Sequence, residues 1–164
     1  RGFDMHAGRD ACRHQLGTVF AARGIPVLGI STLETLAQGC DAERVIACLD
    51  ARMNQVYASA FVRTGDGWRE VCAATVCDPH ALPLPDGEGW TGIGSGFAVY
   101  GPQLTERLGS KLSATEPERI PLAVDMLALA LPRFAAGLGL PAHEATLVYL
   151  RDKVALKTSE RARA

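Results

Sequence analysis

Two short segments carry residue types that could contact a nucleotide. Asp50 follows the apolar run 45–49, and a carboxylate at the end of a buried strand can hold a cation that bridges to phosphate. Further along, Gly94, Ser95 and Gly96 lie in a Gly-rich turn, where backbone N–H groups can approach a phosphate closely. This turn matches neither a GxGxxG fingerprint nor a Walker loop. The favoured alternative is structural for both segments: a turn aspartate bonded to nearby backbone N–H groups, and a tight turn.

Nucleophilic side chains are present, but their surroundings do not predict a hydrolase. Ser59 lacks the GxSxG context of a nucleophile elbow, and no histidine stands at a suggestive position near Cys48 or Cys72. The four histidines are dispersed, rather than paired four residues apart as on a metal-binding helix: His6, His14, His80 and His143. The sequence therefore predicts neither a catalytic nucleophile nor a bound metal.

The composition predicts a soluble globular chain. Of its 164 residues, 48% are apolar and 21% are charged, which suits one domain or one lobe of a larger fold. The net charge of −1 provides no positive field for nucleic acid, so any contact with tRNA is expected to be indirect. Scattered cysteines, the lack of an apolar run of about 18 residues and the lack of a signal-peptide core predict a cytoplasmic protein with no membrane contact.

Several predicted elements position these segments. Apolar or alternating runs predict strands over five segments: 25–30, 45–49, 55–62, 68–76 and 90–94. Helices are predicted over three segments: 31–39, 98–108 and from Pro121 onward. Ser31 and Glu34 form a capping box at the first helix, and Pro132 is expected to end or kink the last. Three antiparallel strands followed by alternating helices and strands predict an α/β, ribonuclease-H-like lobe.

Four segments stand in the order and spacing of one known family. They are IPVLGISTLETLAQG (25–39), DARMNQVY (50–57), Pro121 with Asp125-Met126-Leu127, and YLRDKVA (149–155). They resemble the strand-to-helix join, the D-A-R-x-x-E/Q-V-Y hairpin, the penultimate helix and the C-terminal Y-L/V-R-x-x-V-A signature of the TsaB (YeaZ) family. The resemblance implies structural or partner-contact roles for six residues: Asp50, Arg52, Tyr57, Asp125, Tyr149 and Arg151.

The resemblance implies a fold of the actin-like ATPase superfamily, built from two ribonuclease-H-like lobes. It also implies a non-catalytic accessory subunit in bacterial tRNA threonylcarbamoyladenosine synthesis, in which threonylcarbamoyl is transferred to the adenosine beside the anticodon. The expected partners are a catalytic paralogue (TsaD-like), a small ATPase (TsaE-like) and, through them, tRNA; a homodimer is a further alternative. No cofactor of its own is expected, and ATP or ADP would be bound at the complex.

The sequence departs from this family pattern in two places. In the catalytic paralogue, two metal-binding histidines four residues apart occupy the positions of Thr32 and Leu36, a pair that cannot chelate a metal. The sequence begins with Arg, and residues 1–20 match none of the family's N-terminal pattern, whereas residues 21–24 resemble the end of its helix. Residues 1–24 are therefore interpreted as a divergent remnant of a processed or partial chain. Residues 25–164 are interpreted as the C-terminal lobe with the last strand-to-helix join of the N-terminal lobe.

Three alternatives to an accessory subunit remain open at this point. They are a metal-dependent threonylcarbamoyl transferase, a kinase-like enzyme of the same superfamily, and a fragment without function. The positions of Thr32 and Leu36 argue against the first, and the lack of a complete phosphate loop argues against the second. A glycoprotease-like activity, once assigned to relatives, has no support in the surroundings of Ser59.

Overall fold

The computed structural model describes residues 23–65, 67–145 and 150 of the chain. These residues fall into two compact units. The larger unit comprises residues 31–126 with residue 150, and it contains the sheet. The smaller unit comprises residues 23–30 and 127–145. The structure therefore describes the sheet and the candidate residues that follow its strands.

One mixed sheet organises the larger unit. Its described strands are β1 (Arg44–Arg52), β2 (Gln55–Thr64), β3 (Gly67–Cys77), β4 (Trp90–Ile93) and β5 (Leu112–Glu116). The strand order is β3-β2-β1-β4-β5, in which β1, β2 and β3 run antiparallel while β4 and β5 run parallel to β1. The predicted antiparallel trio and the fourth strand are confirmed, and β5 is an additional strand that the sequence pattern did not predict.

Strand β1 is the centre of the core because both of its faces are covered. Ile46 and Cys48 pack with the cluster beneath helix α2 (Ser95–Leu108), which also contains Trp90. Val45 and Ala47 pack on the other face with helix α1 (Thr32–Gln38). A strand covered on both faces reads as a continuous apolar run, as this one does. Full burial of each large side chain contributes about 1.5–3 kcal/mol relative to exposure.

Helix α1 begins and ends where the sequence predicts. The Ser31 hydroxyl accepts a hydrogen bond from the Glu34 N–H at 3.4 Å, which satisfies one N–H group of the first turn. Gly39 closes the helix without a positive φ. A Cβ on Gly39 would lie 2.7 Å from the Asp125 carboxylate, so a larger residue there would require that side chain to move. The Arg119 guanidinium also donates to the Gly39 carbonyl, so α1 is fixed at both ends.

Helix α2 is longer than the predicted 98–108 and is not straight. It begins at Ser95, inside the Gly-rich turn, and continues to Leu108. Tyr100 has non-helical angles (φ −119°, ψ 27°), and Pro102 lies inside the helix. Proline has no N–H to donate to the carbonyl four residues earlier, so the helix is interrupted at this point.

The smaller unit corrects two predictions. A strand was predicted at 25–30, but the structure has only an isolated bridge there, between Val27 and Leu140. The Val27 N–H donates to the Leu140 carbonyl at 2.7 Å, and the Leu140 N–H donates to the Val27 carbonyl at 2.9 Å. Among the described residues, no longer segment pairs with 25–30. Helix α3 (Ala123–Ala135) begins two residues after Pro121 and continues through Pro132. One proline removes one backbone hydrogen bond, which does not end the helix here.

A glycine ends α3 instead of the proline. Gly137 has a φ of 76°, and its N–H donates to the Phe134 carbonyl at 3.0 Å. The Leu138 N–H donates to the Arg133 carbonyl, also at 3.0 Å. This pair of bonds is a Schellman motif, which needs a left-handed residue and therefore favours glycine.

In the described part of the chain, no helix has the length and apolar composition needed to cross a membrane.

Candidate functional site

Asp50 is the hub of a small polar cluster at the end of β1. Its carboxylate accepts hydrogen bonds from the Arg52 N–H at 2.9 Å and from the Tyr100 hydroxyl at 3.3 Å. It also pairs with the Arg52 guanidinium at 3.0 Å. The Asp50 side chain is only 11% exposed, whereas that of Arg52 is 87% exposed. The carboxylate is therefore engaged by this chain's own groups, as expected for a turn aspartate.

The hairpin that Asp50 supports has an unusual backbone. Arg52, Met53 and Asn54 have φ values of 61°, 54° and 55°, which is the left-handed region. Each such residue other than glycine costs on the order of 1 kcal/mol. Two successive positive φ values match the right-handed twist of a tight hairpin, and the third follows from a register shift between Asp50 and Arg52. The bonds to Asp50 offset part of this strain.

The Gly-rich turn lies directly beside Asp50. The Asp50 N–H donates to the Ser95 hydroxyl oxygen at 3.1 Å, so the structure brings together the two segments that the sequence singled out. The Gly94 N–H donates to the Glu116 carbonyl at 3.1 Å and is already used within the fold. A phosphate could accept from this N–H only by displacing the Glu116 carbonyl oxygen.

Close packing explains why this turn contains glycines. A Cβ on Gly94 would lie 2.6 Å from Leu36 Cδ2 and 2.7 Å from the Cys48 carbonyl oxygen, and Gly94 has a φ of 94°. A Cβ on Gly96 would collide with Cys48, and one on Gly92 would collide with the Phe97 ring. The turn is thus pressed against β1 and α1 so closely that only glycine fits. A nucleotide contact at Gly94, Ser95 and Gly96 stays a prediction.

Two of the three nucleophile candidates, Ser59 and Cys48, are buried, and the third, Cys72, is half-buried. Ser59 is buried, and its hydroxyl lies 2.6 Å from Glu70 Oε1 and 2.8 Å from the Cys72 carbonyl oxygen. Burial raises the pKa of the Cys48 thiol and also that of Cys72, which disfavours the thiolate that would act as nucleophile. Among the described residues, no group of three or more His, Cys, Asp or Glu side chains is arranged to hold a metal ion.

Tyr100 is a member of the cluster that sequence reasoning missed. Desolvation and the adjacent Asp50 carboxylate raise the pKa of its hydroxyl, so the hydroxyl remains the donor in this pair at neutral pH. The two residues are 50 positions apart, and no local pattern connects them. The signal that was available is Tyr100-Gly101-Pro102, because glycine and proline inside a helical pattern mark an interruption.

The remaining predicted residues are distributed over the fold. Tyr57 lies on β2 opposite Leu49 of β1, in the hairpin that Asp50 begins. Asp125 lies at the start of α3 and packs against Gly39. Tyr149 and Arg151 lie outside the described residues, as do His6 and His14. The structure thus places Asp50, Arg52 and Ser95 in one cluster and Asp125 at another position.

Comparison with known proteins gives consistent relatives. No protein-family model matches the sequence. The tRNA threonylcarbamoyladenosine biosynthesis protein TsaB of Escherichia coli K12 is 36% identical over 142 residues, which are 81% of this chain and 60% of the relative. The protein of the same name from Haemophilus influenzae is 35% identical over 156 residues, 86% of this chain and 63% of the relative. The chain spans about three fifths of the length of these curated relatives.

Solved structures give the same result. YeaZ from Pseudomonas aeruginosa has a TM-score of 0.75 at 31% identity, with 92% of this chain and 71% of that chain covered. A second structure from this organism, described as an uncharacterized protein with similarity to peptidase YEAZ, has a TM-score of 0.76 at 30% identity, with 92% and 70% covered. The chain belongs to the TsaB/YeaZ family. Its α/β, ribonuclease-H-like fold class is thereby confirmed.

Within the TsaB fold, Leu36 occupies a position that the resemblance compares with a metal-binding histidine. Leu36 is fully buried in the cluster beneath α1, and its Cδ2 contacts the Gly-rich turn at Gly94. Thr32 is the first residue of α1 and is exposed. An apolar side chain therefore fills the space between α1 and the turn, and the contact is one of packing.

Replacing Asp50 tests its role as support for the hairpin. Asp50→Ala should lower the free energy of unfolding by about 2–3 kcal/mol, because the left-handed hairpin loses a charged acceptor. Asp50→Asn keeps an acceptor oxygen and should lose less. Tyr100→Phe, which removes one of the bonds, should also lose less. Urea unfolding at neutral pH measures all three, and an Asp50→Ala variant as stable as the original chain would contradict the assignment.

Proposed function

We propose that this chain is a non-catalytic accessory subunit for threonylcarbamoyl transfer to the adenosine beside the tRNA anticodon. Membership of the TsaB family carries the proposal, since both curated relatives are named for tRNA threonylcarbamoyladenosine biosynthesis. The chain would act by pairing with a TsaD-like catalytic paralogue, alongside a small TsaE-like ATPase. Such a role requires a folded surface and no reactive group.

The arrangement of the described residues supports an accessory role. Ser59 and Cys48 are buried, Cys72 is half-buried, and the pKa values of both thiols are raised by burial. The position compared with a metal-binding histidine holds the buried Leu36. The near-neutral net charge of −1 fits indirect tRNA binding, because a phosphate-binding surface normally needs clustered Lys and Arg. This role belongs in the cytoplasm, where the partners would meet tRNA.

Reconstitution tests this role directly. The purified chain is mixed with the catalytic paralogue, the ATPase, ATP, threonine-derived donor and unmodified tRNA, and the modified nucleoside is measured by mass spectrometry. We expect the product to rise roughly tenfold or more over a mixture without the chain. Ser59→Ala and Cys72→Ala should retain this stimulation, because neither group takes part in the reaction.

Two outcomes would contradict the accessory role. Product formation that is independent of the chain would remove the proposed function. A folded variant of Ser59 or Cys72 that still binds the paralogue but yields no product would indicate a catalytic group in this chain. The two results are distinguished by measuring the complex with the paralogue in the same samples.

We also propose that ATP or ADP is bound by the assembled complex and that this chain carries no cofactor of its own. The packing of Gly94 and Gly96 against Leu36 and Cys48 supports this, since it accounts for the glycines without a ligand. Calorimetric titration should give a dissociation constant weaker than about 1 mM for the chain alone and micromolar binding for the complex. Micromolar binding by the chain alone that is lost in Ser95→Ala would contradict the proposal.

A further inference from the structure

Helix α2 consists of two segments that meet at Tyr100, whose backbone angles are not helical. The first segment, residues 95–99, packs closely against β1 at Gly96. The second segment, residues 101–108, buries Leu104 in the core. Each segment has its own packing contact, so the two are held separately. We refer to their meeting point at Tyr100 as the α2 joint.

The residues that follow the joint favour a bend. Pro102 has no N–H to donate to the Ala98 carbonyl four residues earlier. Proline also disfavours helical angles in the residue before it, which here is Gly101. A Cβ on Gly101 would meet nothing within 4 Å, so neighbouring groups do not fix this residue. Kinks in helices are typically found at such prolines and glycines.

One carboxylate connects the joint to the hairpin between β1 and β2. The Tyr100 hydroxyl donates to the Asp50 carboxylate at 3.3 Å, and the same carboxylate accepts from the Arg52 N–H at 2.9 Å. Arg52 is the first of the three left-handed residues, 52–54, which form the tip of the hairpin. The Asp50 N–H also donates to the Ser95 hydroxyl at 3.1 Å. Asp50 is thus bonded to the start of α2, to its joint and to the strained tip.

We propose that Asp50 and Tyr100 form a latch, which couples the hairpin tip to the α2 joint so that the two change conformation together. Left-handed residues other than glycine cost on the order of 1 kcal/mol each, so the tip keeps this backbone only while its surroundings hold it. The tip is accessible, since the Arg52 side chain is 87% exposed and Met53 is 52% exposed. A contact that changes the tip must therefore change the joint by the same coupling free energy.

The electrostatics of the latch favour the bonded arrangement at neutral pH. Desolvation, followed by the Asp50 carboxylate, raises the pKa of the Tyr100 hydroxyl, and the Arg52 guanidinium opposes this with a smaller effect. A raised pKa means that the fold favours the neutral hydroxyl. Its contribution to stability is complete below the ordinary tyrosine pKa of about 10 and is lost as the pH rises through the raised value. The latch is therefore bonded throughout the neutral range.

Hydrogen exchange, followed amide by amide by NMR, tests the coupling in the full chain. Tyr100→Phe keeps the ring and removes the donor, so exchange at the amides of 52–55 should rise roughly fivefold or more. Asp50→Ala should raise exchange there and also at 99–101. The paired amides between β2 and β3 should exchange as in the original chain. Val99→Ala is the matched control, because Val99 is 53% exposed beside Tyr100, and it should leave both regions unchanged.

A double-mutant cycle distinguishes one latch from two unrelated losses. If the residues act through one bond, the variant with both Asp50→Ala and Tyr100→Phe should exchange at the tip within roughly twofold of Asp50→Ala alone. Asp50→Asn, which keeps an acceptor oxygen and removes the charge, should give an intermediate rate. In this variant the pKa of Tyr100, followed by ¹³C NMR of the tyrosine rings, should fall toward its ordinary value. A purely structural role of Asp50 elsewhere in the hairpin would not move that pKa.

Four results would overturn the proposal. They are unchanged exchange at the tip in folded Tyr100→Phe, single effects that multiply in the double variant, equal acceleration by Val99→Ala, and equal acceleration at the paired amides between β2 and β3. Circular dichroism checks the fold of each variant. Tyr100→Phe is conservative and decides the matter even where Asp50→Ala does not fold. This inference is independent of the proposed role in tRNA modification.

Discussion

Cys48, at the centre of β1, contacts the backbone of the turn that begins α2, and Leu36 of α1 contacts the same turn from the other side of the sheet. This approach is possible because Gly94 and Gly96 have no side chains. It fixes the start of α2, aligns Ser95 with the Asp50 N–H and holds both helices on β1. The position of α2 and the hydrogen bond between Asp50 and Ser95 therefore depend on this one close contact.

The same contact limits what the site can do chemically. Leu36 fills the space between α1 and the turn, and the Gly94 N–H is used by the Glu116 carbonyl. Asp50 is engaged by Arg52 and Tyr100 and supports a strained hairpin. Groups that could serve metal or phosphate chemistry in a related fold are thus used here for packing and for turn stability. That use is consistent with an accessory member of the TsaB family.

Local patterns predicted much of the fold, and long-range contacts account for what they missed. The antiparallel strands and the Ser31 cap were predicted because each depends on a short run of residues. Strand β5 was missed because it lies at the sheet edge and three of its five residues are exposed, which leaves no apolar pattern. The end of α3 was misplaced because Pro132 is a stronger local signal than the Schellman turn at Gly137.

In the candidate site, too, local residue types were predictable from the sequence and long-range contacts were not. Asp50 and the Gly-rich turn were recognised from residue type, but the sequence could not decide between a ligand site and a packed turn. The decision depends on Leu36 and Cys48, whose contacts with the turn cross from one element to another. Tyr100 was missed for the same reason, since its bond to Asp50 joins two residues 50 positions apart.

Gly94→Ala tests the central claim, that close packing holds this turn, by its effect on the free energy of unfolding. The new Cβ would meet Leu36 Cδ2 at 2.6 Å at a φ of 94°. Backbone strain and overpacking together should cost about 3 kcal/mol or more. Gly101→Ala is the control, because a Cβ there meets nothing within 4 Å, and this variant should be unchanged or up to about 1 kcal/mol more stable. Equal stability of Gly94→Ala and the original chain in urea unfolding would contradict the account.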